Sequence, residues 1–355
     1  MEKVKKVLKL IFIDGLSGMA LGLFATLIVG TIVGQIASYI GGSFGSWLTS
    51  VASVFKAMTG AGIGVGVACK FKKPPLVVIS AAAVGMVGAF ASAILKGTLL
   101  DGGKVLLSGP GEPLGAFIAV ICAVGVGSLV ANKTKLDILV TPLTMLVAGS
   151  AAGLLLGPPI SALMTALGDF INWGTEQQPL VMGIVVSVVM GLCLTLPISS
   201  AAIGISLGLG GIAAGAAVVG CCCQMVGFAV SSYRENKLGG LFAQGIGTSM
   251  LQMPNIVRHP LIWIPPTLAS AILGPVATLL VKLPCNAIGS GMGTAGLVGP
   301  IMTYTEMANA GEPVWYSLLI IAVMLIIVPA ALSLTFSEIM RKLGWIKKDD
   351  MLLEI

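Results

Sequence analysis

Charge is what this sequence has least of. Only 10% of its 355 residues are charged, against 56% hydrophobic, and the mean hydropathy is +1.03. A soluble domain carries nearly a quarter charged residues, so a water-soluble globular fold is excluded. Histidine is nearly absent: His259 is the single one. There is no P-loop pattern, no Gly-x-Ser-x-Gly elbow and no paired His-Glu metal motif. No polar stretch is long enough for a soluble domain, so the chain carries no nucleotide-binding, kinase or DNA-reading module of its own. We assign it no catalytic residue, no metal ligand and no cofactor. The seven cysteines lie in or beside apolar runs, none at metal-ligand spacing with histidine. Cys221, Cys222 and Cys223 follow one another, point three ways around a helix and read as packing residues.

What is present is apolar sequence of spanning length, repeated. Candidate spans are 12–38, 46–69, 75–95, 114–131, 137–157, 180–197, 203–230, 260–281 and 313–335. The runs are continuous rather than alternating, which argues for helices and against a β-barrel. The first run exceeds a signal peptide's apolar core and has no clean cleavage site, so we read it as a retained helix. Two further stretches, near 241–258 and 284–302, are interrupted by glycine, proline and polar residues, as in "LFAQGIGTSMLQMP" and "PCNAIGSGMGTAGLVGP". Such breaks suit re-entrant hairpins. The expected fold is an all-α polytopic membrane protein, with a first half over 1–178 holding five transmembrane helices and a second half over 179–355 holding the hairpins.

The net charge of +6 is a topology signal rather than a nucleic-acid footprint, since the lysines cluster at span ends. Lys3, Lys5, Lys6 and Lys9, then Lys70, Lys72 and Lys73, then Lys133 and Lys135, and finally Arg341, Lys342, Lys347 and Lys348 place both termini in the cytoplasm. The loops at 96–113 and 158–178 carry as many acids as bases or more, which suits the outside. An odd count of nine spans conflicts with two cytoplasmic termini. The conflict lies within 179–305, where counting puts the basic "SYRENK" at 232–237 outside.

Ionisable side chains at membrane depth cost at least about 2.5–3.5 kcal/mol, so those left inside are the functional candidates. They are Lys56, in "VASVFKAMTG", and the pair Arg258 and His259, in "PNIVRHPLIWIPP". A slipped boundary letting Lys56 reach the interface, and a helix-end pair with Pro260 starting the next helix, are the bland alternatives. Glu306 is either an external loop acid or a carboxylate that forks two sugar hydroxyls. Gln252, Asn255 and Asn286, with Gln244, Thr248 and Ser249, supply neutral donors and acceptors in the broken stretches. Trp263 offers either a stacking face or an interfacial anchor. This mixture fits a neutral polyol better than an ion.

The run "LPISSAAIGISLGLGGIAAGAAVVGCCCQMVGFAV", followed by "GTSMLQMPNIVRHPLIWIPPTLASAILGP" and "GSGMGTAGLVGP", resembles the membrane-embedded IIC proteins of the bacterial sugar phosphotransferase system (PTS), in the branch with perfringolysin O regulator-like proteins. The resemblance implies a homodimer in the bacterial plasma membrane, about ten spans per protomer, a scaffold half and a mobile half with two hairpins around a sugar. It also implies separate IIA and IIB partner proteins that phosphorylate the sugar. His259 and Glu306 are the counterparts of the histidine and hairpin glutamate that hold hydroxyls in sugar IIC relatives, although the glutamate motif is not reproduced around Glu306. Two other functions compete with sugar translocation: an IIC-like membrane sensor or regulator of gene expression, and an ion-coupled carrier of a small solute.

Overall fold

The computed structural model describes residue 7, residues 10–107 and residues 109–353. The lysines at positions 3, 5, 6 and 9 lie outside the described residues. Six described helices are long and apolar enough to cross a membrane, seven if one bent pair counts as a span, and two shorter apolar helices accompany them. The all-α polytopic fold is therefore as expected. The chain divides into two compact units, Met1–Leu163 and Met164–Glu354.

The first unit holds α1 (Leu10–Ser38), the bent pair α2 (Gly42–Ala57) and α3 (Thr59–Lys70), α4 (Pro75–Ala89), α5 (Pro113–Val130) and the start of α6 (Asp137–Thr175). The expected span at 46–69 is bent by 48° between α2 and α3. Before α5, β1 (Leu100–Asp101) and β2 (Lys104–Val105) form a small antiparallel hairpin. Glu112, at the start of α5, has an enclosed carboxyl oxygen with no hydrogen-bond partner, and burial pushes its pKa up to about 7. Asp137 starts α6 by accepting from the Asn132 backbone N–H at 2.9 Å and the Thr141 hydroxyl at 2.7 Å. The stretch 158–178, expected as an external loop, is helical as far as Thr175 despite Pro158 and Pro159. Ile160, Met164, Leu167 and Ile171 recur at helical spacing, and that periodicity outweighs the charge count used to read a loop.

The second unit holds α7 (Pro179–Thr195), α8 (Ser200–Ser206), α9 (Gly211–Ser231), α10 (Tyr233–Phe242), α11 (Met253–Arg258), α12 (Pro260–Val281), α13 (Val298–Asn309) and α14 (Val314–Lys342). Helix α9 is apolar on every face, and nearly all of it is buried, as such a helix requires. Around it, contacts fix each neighbour's direction. Thr278 Oγ1 donates to the Pro179 carbonyl (2.7 Å) and Ser187 Oγ to the Ser270 carbonyl (2.8 Å), so α7 and α12 are antiparallel. Gln224 Nε2 donates to Thr267 Oγ1 (3.2 Å) while Ser270 Oγ reaches the Gly220 carbonyl (3.3 Å), so α9 and α12 are antiparallel too. Hence α7 and α9 run parallel, with Gly191 against Gly220 and Thr195 beside Gln224.

Two consecutive parallel helices require a return between them. It is made by residues 196–210: Ser200 Oγ donates to the Gly291 carbonyl (2.7 Å), and Gly211 bridges to Cys285. Helix α7 therefore stops at the level of Gln224, about 10 Å short of the end of α9 at 1.5 Å per residue, and the chain doubles back. This resolves the placement of "SYRENK". Arg234 pairs with Glu338 at 2.9 Å, Glu235 contacts Arg341 at 2.8 Å, and Arg341 donates to the Ser231 carbonyl at 3.1 Å. Residues 232–237 thus share one end of the unit with the basic residues after α14. Counting 180–197 as a full crossing is what sends them to the wrong end.

Candidate functional site

Both interrupted stretches are broken in the second unit, and they enter from opposite ends. The first leaves α10 through a π-helical turn (Ala243–Gly247), extends at Thr248, tightens into a 3₁₀ turn (Ser249–Gln252) and exits through α11. Thr248 caps that turn by accepting from the Met250 N–H. The second begins after Lys282, which ends α12 in a left-handed conformation, and passes through a short helix (Ala287–Ser290) whose cap is the Asn286 side chain. It turns at Gly293, Gly296 and Leu297, all at positive φ, before α13 runs back. Gly293 sits against the backbone of Cys221, where a Cβ would be 2.9 Å from the Cys221 carbonyl carbon, so only glycine suits both the angle and the space. The two tips meet: the buried Thr294 hydroxyl donates to the Gly245 carbonyl.

Three polar groups lie along this pair. At the centre, Gln224 is fully buried; its Oε1 accepts from Trp263 Nε1 (3.0 Å) and from Thr195 Oγ1 (3.3 Å), which also meets Ser249 Oγ at 2.8 Å. At the α14 end, buried amides form a ladder. Gln244 Nε2 donates to Ser232 Oγ (2.8 Å), Gln252 Nε2 to Gln244 Oε1 (2.9 Å), and Asn255 Nδ2 to Gln252 Oε1 (2.9 Å). At the other end, Asn286 Nδ2 donates to Glu306 Oε1 at 3.3 Å and holds the Gly289 N–H through its Oδ1 at 3.1 Å.

The sequence-derived residues therefore fall into separate places. Gln252 and Asn255 come together in the ladder, and Asn286 joins Glu306. His259 is about half exposed after α11, its Nδ1 3.6 Å from Asp350 Oδ1, and Pro260 directly opens α12. Arg258 ends α11 beside it. Lys56 belongs to the first unit, where its stem lies against Gly30 of α1. Sequence reasoning missed Gln224, Thr195 and Thr267. The signal was available for Gln224, the one amide in an otherwise apolar run of spanning length.

The family comparison decides what kind of protein carries this geometry. A family model described as "Phosphotransferase system, EIIC" matches residues 13–353. The chain belongs to the phosphotransferase system EIIC family. No curated protein matches it. EIIC proteins are the sugar-specific membrane components of a phosphotransferase system and work with IIA and IIB components. For an EIIC protein the polar groups above are chemically apt. Carboxamides offer donors and acceptors together, a carboxylate offers only acceptors, and an indole offers an apolar face with one N–H. Together they offer a neutral polyol both donors and acceptors, with Glu306 the one carboxylate in the set.

Proposed function

We propose that this EIIC protein binds a sugar between its two opposed hairpins and passes it to the cytoplasm for phosphorylation by separate IIA and IIB proteins. The observation that carries this reading is the contact between the tips at Thr294 and Gly245. Two half-crossings that meet within the second unit bring their polar side chains toward one another from opposite ends, the arrangement in which transporter sites are built. Asn286 and Glu306 serve the sugar from one end, while Gln252, Asn255, His259 and Arg258 serve it from the other. Lys56, the remaining candidate, lies in the first unit, against Gly30 of α1.

The α14 end is cytoplasmic in this proposal, because Arg234, Lys237, Arg258, Arg341, Lys342, Lys347 and Lys348 all gather there or beside it. The protein sits in the bacterial plasma membrane with both termini cytoplasmic. It works as a homodimer, with residues 1–178 as scaffold and 179–355 as the mobile half. The likeness to perfringolysin O regulator-like proteins, read from the sequence runs above, makes a regulatory branch the second reading.

The test is equilibrium binding by the purified protein across hexoses, pentoses, disaccharides, polyols and ascorbate, with His259→Ala and Glu306→Gln alongside. Micromolar binding of one sugar, weakened tenfold or more in both variants, is the expected result. Absence of binding across the panel refutes the permease reading and favours a regulator, while uptake that depends on an ion gradient favours the carrier.

A further inference from the structure

The ladder that would serve a sugar is already occupied, and its occupant is the chain itself. Gln252 Nε2 donates to the Met351 carbonyl (3.0 Å) and Asn255 Nδ2 to the Leu352 carbonyl (2.9 Å), besides their bonds within the ladder. Asn236, from α10, holds the same stretch at both edges: its Nδ2 donates to the Met351 carbonyl (2.8 Å) and its Oδ1 accepts from the Leu353 N–H (2.8 Å). Ile346 and Met351 are buried, and Asp350 Oδ1 approaches His259. We infer that residues 346–353 form an internal strap that occupies the Gln252–Asn255 amides, and that this strap must leave before the cytoplasmic mouth of the sugar site opens.

The chemistry of the contacts supports displacement. The acceptors are backbone carbonyl oxygens, and a sugar hydroxyl oxygen accepts from the same amide donors, so strap and sugar compete for identical groups. The strap has no regular helix or strand to hold it. It is a chain of turns, in which the Lys347 N–H donates to Asp350 Oδ2 (2.7 Å) and the Leu352 N–H to the Asp349 carbonyl (3.1 Å), with Asp349 at a φ of 68°. Segments built from turns and a few side-chain bonds open at far lower cost than packed helices. The strap's outer side borders an open cavity of about 600 Å³, lined by Arg234, Glu235 and Arg341 together with the strap's own Ile346, Lys347 and Asp349, which leaves room on that side for the segment to move. The inference rests on the sugar-site reading above and adds its regulation: a cytoplasmic partner that takes hold of 346–353 would free the mouth.

The experiment measures affinity for the best-binding sugar of the panel in the full-length protein, in Asn236→Ala, and in a variant ending at Trp345. Asn236 lies outside the proposed ligand set, so its loss loosens the strap without removing a sugar contact. Two lost hydrogen bonds predict a tightening of about tenfold or more for Asn236→Ala, and at least as much for the truncated chain. Sugar binding that appears only in the variants gives the same support. Unchanged or weaker affinity in Asn236→Ala, with its elution profile and melting point intact, overturns the strap while leaving the sugar site standing. If the truncated chain fails to fold, Asn236→Ala alone decides. No binding by any of the three proteins refutes the sugar-site reading itself and the strap with it.

Discussion

The parallel packing of α7 on α9 depends on Gly220, and its replacement by alanine is the most direct test of the fold described here. A Cβ at Gly220 would lie 1.8 Å from the Ser187 carbonyl oxygen. An ordinary contact needs more than about 3 Å, so α7 must retreat by over about 1 Å, and backbone rather than a flexible side chain is what must move. The retreat strains the Ser187–Ser270 hydrogen bond and the approach of Thr195 to Gln224, both set by the same helix pair. Overpacking of this kind costs about 1–3 kcal/mol, whereas glycine to alanine within a helix otherwise gains about 0.5–1 kcal/mol. Gly125 on α5 supplies the control, because its Cβ would meet nothing within 4 Å. Apparent melting points in one detergent at one scan rate should therefore fall by several degrees for Gly220→Ala and hold or rise for Gly125→Ala. A Gly220→Ala protein as stable as the parent would mean that α7 does not lie against α9 as described, and the doubling back at 196–210 would fall with it.

Other expectations concern single groups. Glu112 has a folded pKa of about 7 against an ordinary 4.5, so the folded form keeps its proton while the unfolded form loses it. Stability should fall as pH rises from 4.5 to 7 and stay lower above that, by about 3 kcal/mol at about 1.4 kcal/mol per pH unit. Glu112→Gln should flatten that part of a melting-point profile, and identical slopes in both proteins would refute the assignment. Glu235 is buried with Arg341 at 2.8 Å, a close ionic contact without hydrogen-bond alignment that leaves Glu235 Oε2 without a hydrogen-bond partner. Arg341→Met should cost about 3–5 kcal/mol, and adding Glu235→Leu should recover most of it; equal damage in single and double variants would show that packing, not charge, dominates. Trp263→Phe removes the indole donor to Gln224 Oε1 and should cost about 1 kcal/mol, read as a lower melting point; an unchanged melting point would refute that bond.

Much of the architecture was legible because lipid imposes one rule on every residue. Low charge and long apolar runs dictated helices, and glycine and proline within 241–258 and 284–302 marked where helices break, as Gly293 and Leu297 at positive φ bear out. The path of 180–197 was not legible. An apolar run that crosses and one that doubles back have the same composition, and only pairing with Gly220 and Ser270, tens of residues away in sequence, separates them. For the same reason Gln252 and Asn255 could be picked out as polar groups in a broken stretch, while their partners at Met351 and Leu352, about a hundred residues later, could not. Gln224 was visible but unremarked, since a lone amide in an apolar helix says that a partner exists without saying which.

The hairpin at 241–258 also sets an order of events during synthesis. Its amides are made long before the backbone they bond, because Met351 and Leu352 follow α12, α13 and α14 in the chain. From the moment α11 is released until the strap arrives, the amide hydrogens that Met351 and Leu352 later take, beyond those already used within the ladder, must be answered by water or by other protein, since lipid cannot answer them. The hydrogen bonding of this hairpin is therefore completed late, by a segment that reaches it after every helix of the second unit has been made.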